Sequence, residues 1–222
     1  MDSGPGSFTE GSSTPCLFQN DSTSAAPPCQ GGRAPPESID VVLFTHLHRD
    51  HAAGSTRFVG TEIQPAFPNA RYRVQRGEWL AAANPTPLDR ASYLASHLDP
   101  VAEAGLVDLL DGDAEVAPGV TVEVTGGHTA GHQMVWVRDG GQALVYPGDV
   151  VPTAAHLAPA AITAYDLDRP ATLEAKRRLI ERAADRDVVV AWTHDPRTPA
   201  ARLRNSGRGA EALAPDADEL GP

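Results

Sequence analysis

Apolar positions in this chain gather into short runs closed by polar or glycine-rich turns, and the runs at 39–44, 120–124, 143–146 and 188–192 predict buried strands. A further strand is expected at 71–74. Two helical patterns follow it, at 78–83 and 88–98, with Pro85 and Pro87 between them. Trp79, Leu80, Tyr93 and Leu94 read either as a hydrophobic wall beside a pocket or as plain core, and helical spacing favours core for Trp79. Between residues 170 and 184, Leu173, Leu179, Ile180 and Ala183 draw an apolar stripe opposite charged positions, and Pro170 suits a first turn, so a packing helix is expected there. Strands alternating with helices place the chain in the α/β class.

Each of the four buried runs is followed by groups able to bind a divalent cation. His46-Leu47-His48-Arg49-Asp50-His51 packs four of them into six residues after the first run. His128 lies in the glycine-flanked segment 126–132, Asp149 follows Gly148, and His194 follows Thr193. Imidazole and carboxylate donors suit Zn²⁺ and, with less preference, Fe²⁺ or Mn²⁺, and the alternating spacing of the first motif lets its side chains splay toward two neighbouring metals. A histidine-rich surface loop would account for one such motif. It would not account for four, each placed where strand ends converge on one edge of a sheet.

Composition narrows the picture. A chain of 222 residues with 41% hydrophobic content can bury one good core. The formal net charge of −11 argues against a nucleic-acid partner, since phosphate contacts need clustered Lys and Arg. No apolar stretch reaches the length of a membrane span, and the start lacks a basic segment followed by an apolar one, so no membrane partner and a cytoplasmic location are expected. Residues 1–38 hold seven Ser, six Pro and five Gly without apolar periodicity, a composition that predicts disorder. Cys16 and Cys29 both fall there, so a disulfide between them would close only a local loop, and free thiols are the expectation. Residues 205–222 read as an acidic disordered tail, which leaves 39–204 as the folded domain.

The HxHxDH motif at 46–51, the GGHTAGH segment at 126–132, the Gly148-Asp149 step and the late His194 together resemble the metallo-β-lactamase superfamily. The wording at 67–79 and 148–159 is similar to its lactonase and methyl-parathion-hydrolase-like branch, and the resemblance covers roughly residues 38 to 204. It implies an αββα sandwich in which His46, His48 and His128 bind one metal, Asp50, His51 and His194 a second, and Asp149 bridges both. The family also opens with several strands before its HxHxDH loop. Residues 1–38 offer no counterpart, so a sandwich lacking its first N-terminal strands is expected, with a homo-oligomer as one way to cover the gap.

The expected chemistry is hydrolysis by a metal-bridging hydroxide acting on a small-molecule substrate, an ester, lactone or related electrophile, with Asp50 and Asp149 carrying the proton toward the leaving group. His156 reads as a substrate-facing donor or general acid, or equally as a structural hydrogen-bonding residue. His132 reads as a support for the turn after His128, and His97 as a surface residue. Acyl-homoserine lactonases place a tyrosine shortly after the bridging aspartate, whereas Pro152 is the third residue after Asp149 here, leaving Tyr165 as a more distant substitute. The diiron relatives carry glutamate where this chain has His48, which argues against redox chemistry. The alternative expectation is a truncated metal-binding remnant without turnover.

Overall fold

A computed structural model describes residues 34–185, 188–206 and 210–213. Cys16, Cys29 and the expectations for the N-terminal 33 residues lie outside the described residues, as does the acidic segment after residue 213.

The first half runs through β1 (Val41–Leu43), α1 (Arg49–Ala52), the hairpin of β2 (Thr56–Val59) and β3 (Glu62–Pro65), then β4 (Arg71–Gln75), α2 (Arg76–Ala83), α3 (Ala95–Glu103) and β5 (Val107–Leu110). The second half contains β6 (Ala114–Ala117), β7 (Val120–Val124), β8 (Gln133–Asp139), β9 (Gln142–Tyr146), α4 (Arg169–Asp185), β10 (Val189–Ala191), β11 (Ala200–Asn205) and β12 (Ala210–Leu213). Two sheets result, a parallel one of order β1-β4-β5 and a seven-stranded one of order β12-β11-β10-β9-β8-β7-β6, with β2 and β3 pairing separately.

Alternation decides which side chains each layer receives. In β4, Tyr72 and Val74 are buried against Leu98 and Val101 of α3 and against Trp79 and Ala82 of α2, so the helices cover the outer face of the small sheet. In β8, Met134 and Trp136 turn toward α4 while Val135 turns inward. Helix α4 buries Thr172, Ala175, Lys176, Leu179, Ile180 and Ala183, a stripe with the three- and four-residue steps that a helix needs to present one face. Its start is capped by Asp168, whose carboxylate accepts from the Ala171 N–H at 3.0 Å. The layers therefore stack helix, sheet, sheet, helix, the αββα arrangement. Among the described residues, the buried hydrophobic cluster between the sheets consists of Val116, Val122 and Val135, with Leu43, Leu110, Val137 and Tyr146 half-covered beside them.

Two expectations are corrected here. The helix expected at 88–98 is instead α3, displaced toward the C-terminus and running through Pro100. Residues 86–92 turn, with the Thr86 hydroxyl on the Asp89 carboxylate at 2.7 Å, and burial of Leu98 and Val101 outweighs the backbone bond that Pro100 cannot donate. Residues 210–213, expected within a disordered tail, form β12 along β11, with Leu203 opposite Ala212 and Arg204 opposite Glu211. The signal was masked because β11 alternates small or apolar Ala201 and Leu203 with Arg202 and Arg204, which reads as polar sequence.

Candidate metal centre

Strand direction brings the four candidate stations together. β9 and β10 are parallel, and β7 and β9 are each antiparallel to β8, so β7, β9 and β10 all end at one edge of the large sheet. Their trailing loops carry His128, Asp149 and His194. The loop after β1 joins them across the sandwich through Gln133, whose backbone N–H donates to Thr45 O at 2.9 Å and whose side-chain amide donates to Phe44 O at 2.7 Å. Gln75 completes this tie by donating to the Gln133 amide oxygen at 2.8 Å.

The seven residues fall into two groups able to hold a metal ion, His46, His48 and His128 in one and Asp50, His51, Asp149 and His194 in the other, each with donor atoms within 4.8 Å of one another. Asp149 also faces the first group. Its Oδ2 lies 3.6 Å from His128 Nε2, while Oδ1 lies 3.3 Å from both His51 Nε2 and His194 Nε2. Asp50 Oδ2 lies 3.5 Å from the same two nitrogens and its side chain is 55% exposed, so one carboxylate of the second group is enclosed and the other opens outward. Among the described residues, the buried His46 Nε2, His51 Nε2 and Asp149 Oδ1 have no hydrogen-bond partner. Buried polar atoms are rarely left so, and their convergence fits a cation that would satisfy them.

Supporting hydrogen bonds aim the rings. His128 Nδ1 lies 2.8 Å from Asp166 Oδ1, which makes Nδ1 the protonated nitrogen and leaves Nε2 with a lone pair toward the cluster. Thr45 Oγ1 is 3.1 Å from His46 Nδ1 and orients that ring. Burial pushes His46 well below the usual imidazole range and brings His48 down to about 4, with His51 adding to the first effect and His128 to the second, so both rings are neutral and able to donate lone pairs. Burial would raise Asp149, yet the His194 and His51 rings set against its Oδ1 outweigh it and hold this carboxyl well below the ordinary range.

His132 stands behind the site. Its Nε2 accepts the Asp149 backbone N–H at 3.1 Å, so Nδ1 carries the proton toward Thr125 Oγ1 at 2.6 Å. Gly148 makes this contact feasible: its φ is +55°, and a Cβ there would fall 2.6 Å from His132 Nε2. Pro152 is buried and its carbonyl accepts the His194 N–H at 2.9 Å. Tyr165 is 75% exposed, next to Asp166. His156 is not in either group; its Nδ1 lies 2.8 Å from Thr153 Oγ1 on a short turn, and burial lowers its pKa, with Lys176 adding to the effect. His97, expected at the surface, is half-buried in α3.

Sequence reading missed Asp166, Glu78 and Lys176. Asp166 lies 38 positions from the histidine it orients, in a segment without periodicity. Lys176 is fully buried in α4 and donates to the carbonyls of Ala158 and Ala161, each at 2.8 Å, holding the loop that leads to Asp166. A lysine on a helix otherwise rich in charge gave no sign of this.

The metallo-beta-lactamase superfamily profile matches residues 30–194. An N-acyl homoserine lactonase of Bacillus cereus is 31% identical over 140 residues, 63% of this chain and 48% of that protein. The N-acyl homoserine lactonase AttM of Rhizobium radiobacter is 28% identical over 169 residues, 72% of this chain and 60% of its own length. This chain thus spans about half the length of the curated relatives it matches. Among solved structures, a probable metal-dependent hydrolase from Staphylococcus aureus superposes with a TM-score of 0.72 at 30% identity, covering 82% of this chain and 64% of the other. AidC, a dizinc quorum-quenching lactonase, shares the fold with a TM-score of 0.69 at 16% identity, covering 81% and 65% of the two chains.

Proposed function

The chain belongs to the metallo-beta-lactamase superfamily, and on that premise we propose that it is a hydrolase of small esters, lactones or related electrophiles that works with two divalent cations. Nitrogen and oxygen donors favour zinc, with Fe²⁺ or Mn²⁺ as the ions the same set admits. His46, His48 and His128 would hold one ion, Asp50, His51 and His194 the other, and Asp149 would serve both. The observation that carries this reading is the division of the Asp149 carboxylate, one oxygen toward His128 and the other toward His51 and His194.

Bound cations of this kind supply Lewis acidity toward a carbonyl or phosphoryl oxygen and a water that loses its proton near neutral pH. The protein's own groups do the rest. Asp166 keeps the His128 ring in the tautomer that leaves Nε2 free to donate, and Thr45 orients the His46 ring. His132 anchors the backbone of Asp149, so that carboxylate is delivered at a fixed position. Asp50, the outward-facing carboxylate, would hold a proton on the oxygen turned away from His51 and His194 and pass it to the leaving group, with Asp149 as the enclosed alternative. An Asp149→Asn protein with full metal content and full rate would remove Asp149 from that role. With Nδ1 engaged by Thr153, His156 would donate to substrate through Nε2.

The relatives named lactonases support a lactone within the substrate class, and Pro152 at the third position after Asp149 leaves the leaving-group contact to other side chains. A metal-binding relative without turnover is the second reading, favoured by the small fully buried layer between the sheets. The deciding experiment measures metal content by elemental mass spectrometry, then turnover of an N-acyl homoserine lactone, an aryl ester and a phosphotriester. Close to two ions per chain with turnover abolished by His46→Ala is the expected result. Two ions without turnover supports the second reading, and no metal uptake refutes both.

A further inference from the structure

Glu78 is fully buried in the first turn of α2, and its carboxylate touches the machinery of the first histidine group from three directions. Oε1 accepts the Leu47 backbone N–H at 2.9 Å and the Tyr93 hydroxyl at 3.1 Å. Oε2 accepts the hydroxyl of Thr129. Leu47 stands between His46 and His48, Thr129 directly follows His128, and the Tyr93 ring packs edge-on to His48 with 5.1 Å between centroids. The backbone is equally close, since a Cβ on Gly131 would lie 2.1 Å from Glu78 N.

A buried carboxylate is costly unless it is paired or fully hydrogen-bonded. Among the described residues no salt bridge to Glu78 is present, and its three partners are all neutral donors. An ionised carboxylate only accepts, so it matches three donors, whereas a glutamine would turn an NH₂ against one of them. Anchoring α2 alone would require contact with one loop. Here one rigid group spans two loops whose His48 and His128 are 80 residues apart in sequence yet supply the same imidazole cluster.

We propose that Glu78 is a positioning residue that fixes the separation between the His46–His48 loop and His128, and thereby sets the geometry in which the three imidazoles meet a cation. This rests on the reading of the cluster as a metal site. The Leu47 N–H sets the height of the first loop, Thr129 sets the second, and Tyr93 closes the side against His48.

The test uses the full chain, stripped of metal and titrated with Co²⁺, with affinity from chelator competition and coordination geometry from the visible d–d absorption band. Glu78→Gln is expected to keep its far-ultraviolet circular dichroism, to lose about ten- to a hundred-fold in affinity, and to change the band. Thr129→Val, which removes one donor and keeps the carboxylate, is expected to shift both in the same direction by less. Leu179→Ala, on the buried face of α4 in a cluster that holds no residue of the two loops Glu78 bridges, is expected to lower the melting temperature with affinity and band unchanged. A folded Glu78→Gln protein with wild-type affinity and band overturns the proposal, whatever its melting temperature. If Glu78→Gln does not fold, wild-type behaviour of Thr129→Val overturns it instead. Wild-type protein that takes up no cobalt overturns the metal reading and this proposal with it, so the two failures are distinct.

Discussion

Asp166→Asn separates the histidine ligand from the group that aims it. The Asp166 and His128 side chains are 1% and 4% exposed, and Nδ1 lies 2.8 Å from Oδ1, so the bond is charge-assisted and shielded from water. Thr163 also donates to the same carboxylate, through its backbone N–H at 3.2 Å and its hydroxyl at 3.0 Å. The substitution keeps the shape and removes the charge. Loss of such an outer partner weakens metal binding by about 10–100-fold. A cation present at 100 times its dissociation constant stabilises the wild-type fold by about 2.7 kcal/mol, and the same free concentration stabilises the variant by only about 0.4–1.4 kcal/mol. At about 2–4 °C per kcal/mol for a domain of this size, the zinc-induced rise in melting temperature is expected to fall by about 3–9 °C. Scanning calorimetry with and without buffered zinc measures both rises. Equal rises in wild type and variant would refute the assignment of His128 as a ligand held by Asp166.

Leu179→Ala opens a cavity under α4 and is expected to cost about 2–5 kcal/mol by denaturant unfolding, and a loss below 1 kcal/mol would contradict the packing described. Gly148→Ala forces a Cβ against His132 at a left-handed backbone position, so metal uptake is expected to fall together with stability; normal uptake would show that the Asp149 loop tolerates a shift. Lys176 is brought by burial from 10.5 to about 8, with Asp166 opposing the shift. Below about pH 8 both folded and unfolded chains hold its proton, whereas between there and 10.5 only the unfolded chain does, so stability rises with pH across that window and the gain is absent at lower pH. Subtracting the unfolding free energy of Lys176→Met isolates the effect, and a difference that stays flat from pH 8 to 10.5 would remove it.

Strand positions were legible wherever apolar residues ran without interruption. The run at 120–124 coincides with β7, and those at 143–146 and 188–192 locate β9 and β10 within a residue or two. Helix α4 was equally plain, because Leu179, Ile180 and Ala183 repeat at helical spacing. The seven candidate donors stood out because chemistry, more than packing, dictates their types, and the strand ends bring them together in two groups that could hold a metal ion. Groups that act through others were not. Glu78 looks like an ordinary acidic residue in a first helical turn, and Asp166 like one more acid near the cap of α4; only tertiary contact separates them from solvated charges. The hairpin of β2 and β3 was hidden for a related reason, since Phe58, Val59 and Ile63 lie exposed and follow no core-facing pattern.

Each sheet is better packed on its own helices than on the other sheet, for among the described residues the outer apolar clusters are extensive while the one between the layers has only Val116, Val122 and Val135 as buried members. The molecule is in effect two shells pressed together along a narrow seam. His46, His48, Asp50 and His51 ride on one shell, and His128, Asp149 and His194 on the other. An ion gripped from both sides, as proposed for this centre, would act as a rivet through that seam, so occupancy of the centre and docking of the shells would become one event. Amide hydrogen exchange would register it as protection spreading along β1 and β7 on metal addition, far beyond the loops that hold the ion.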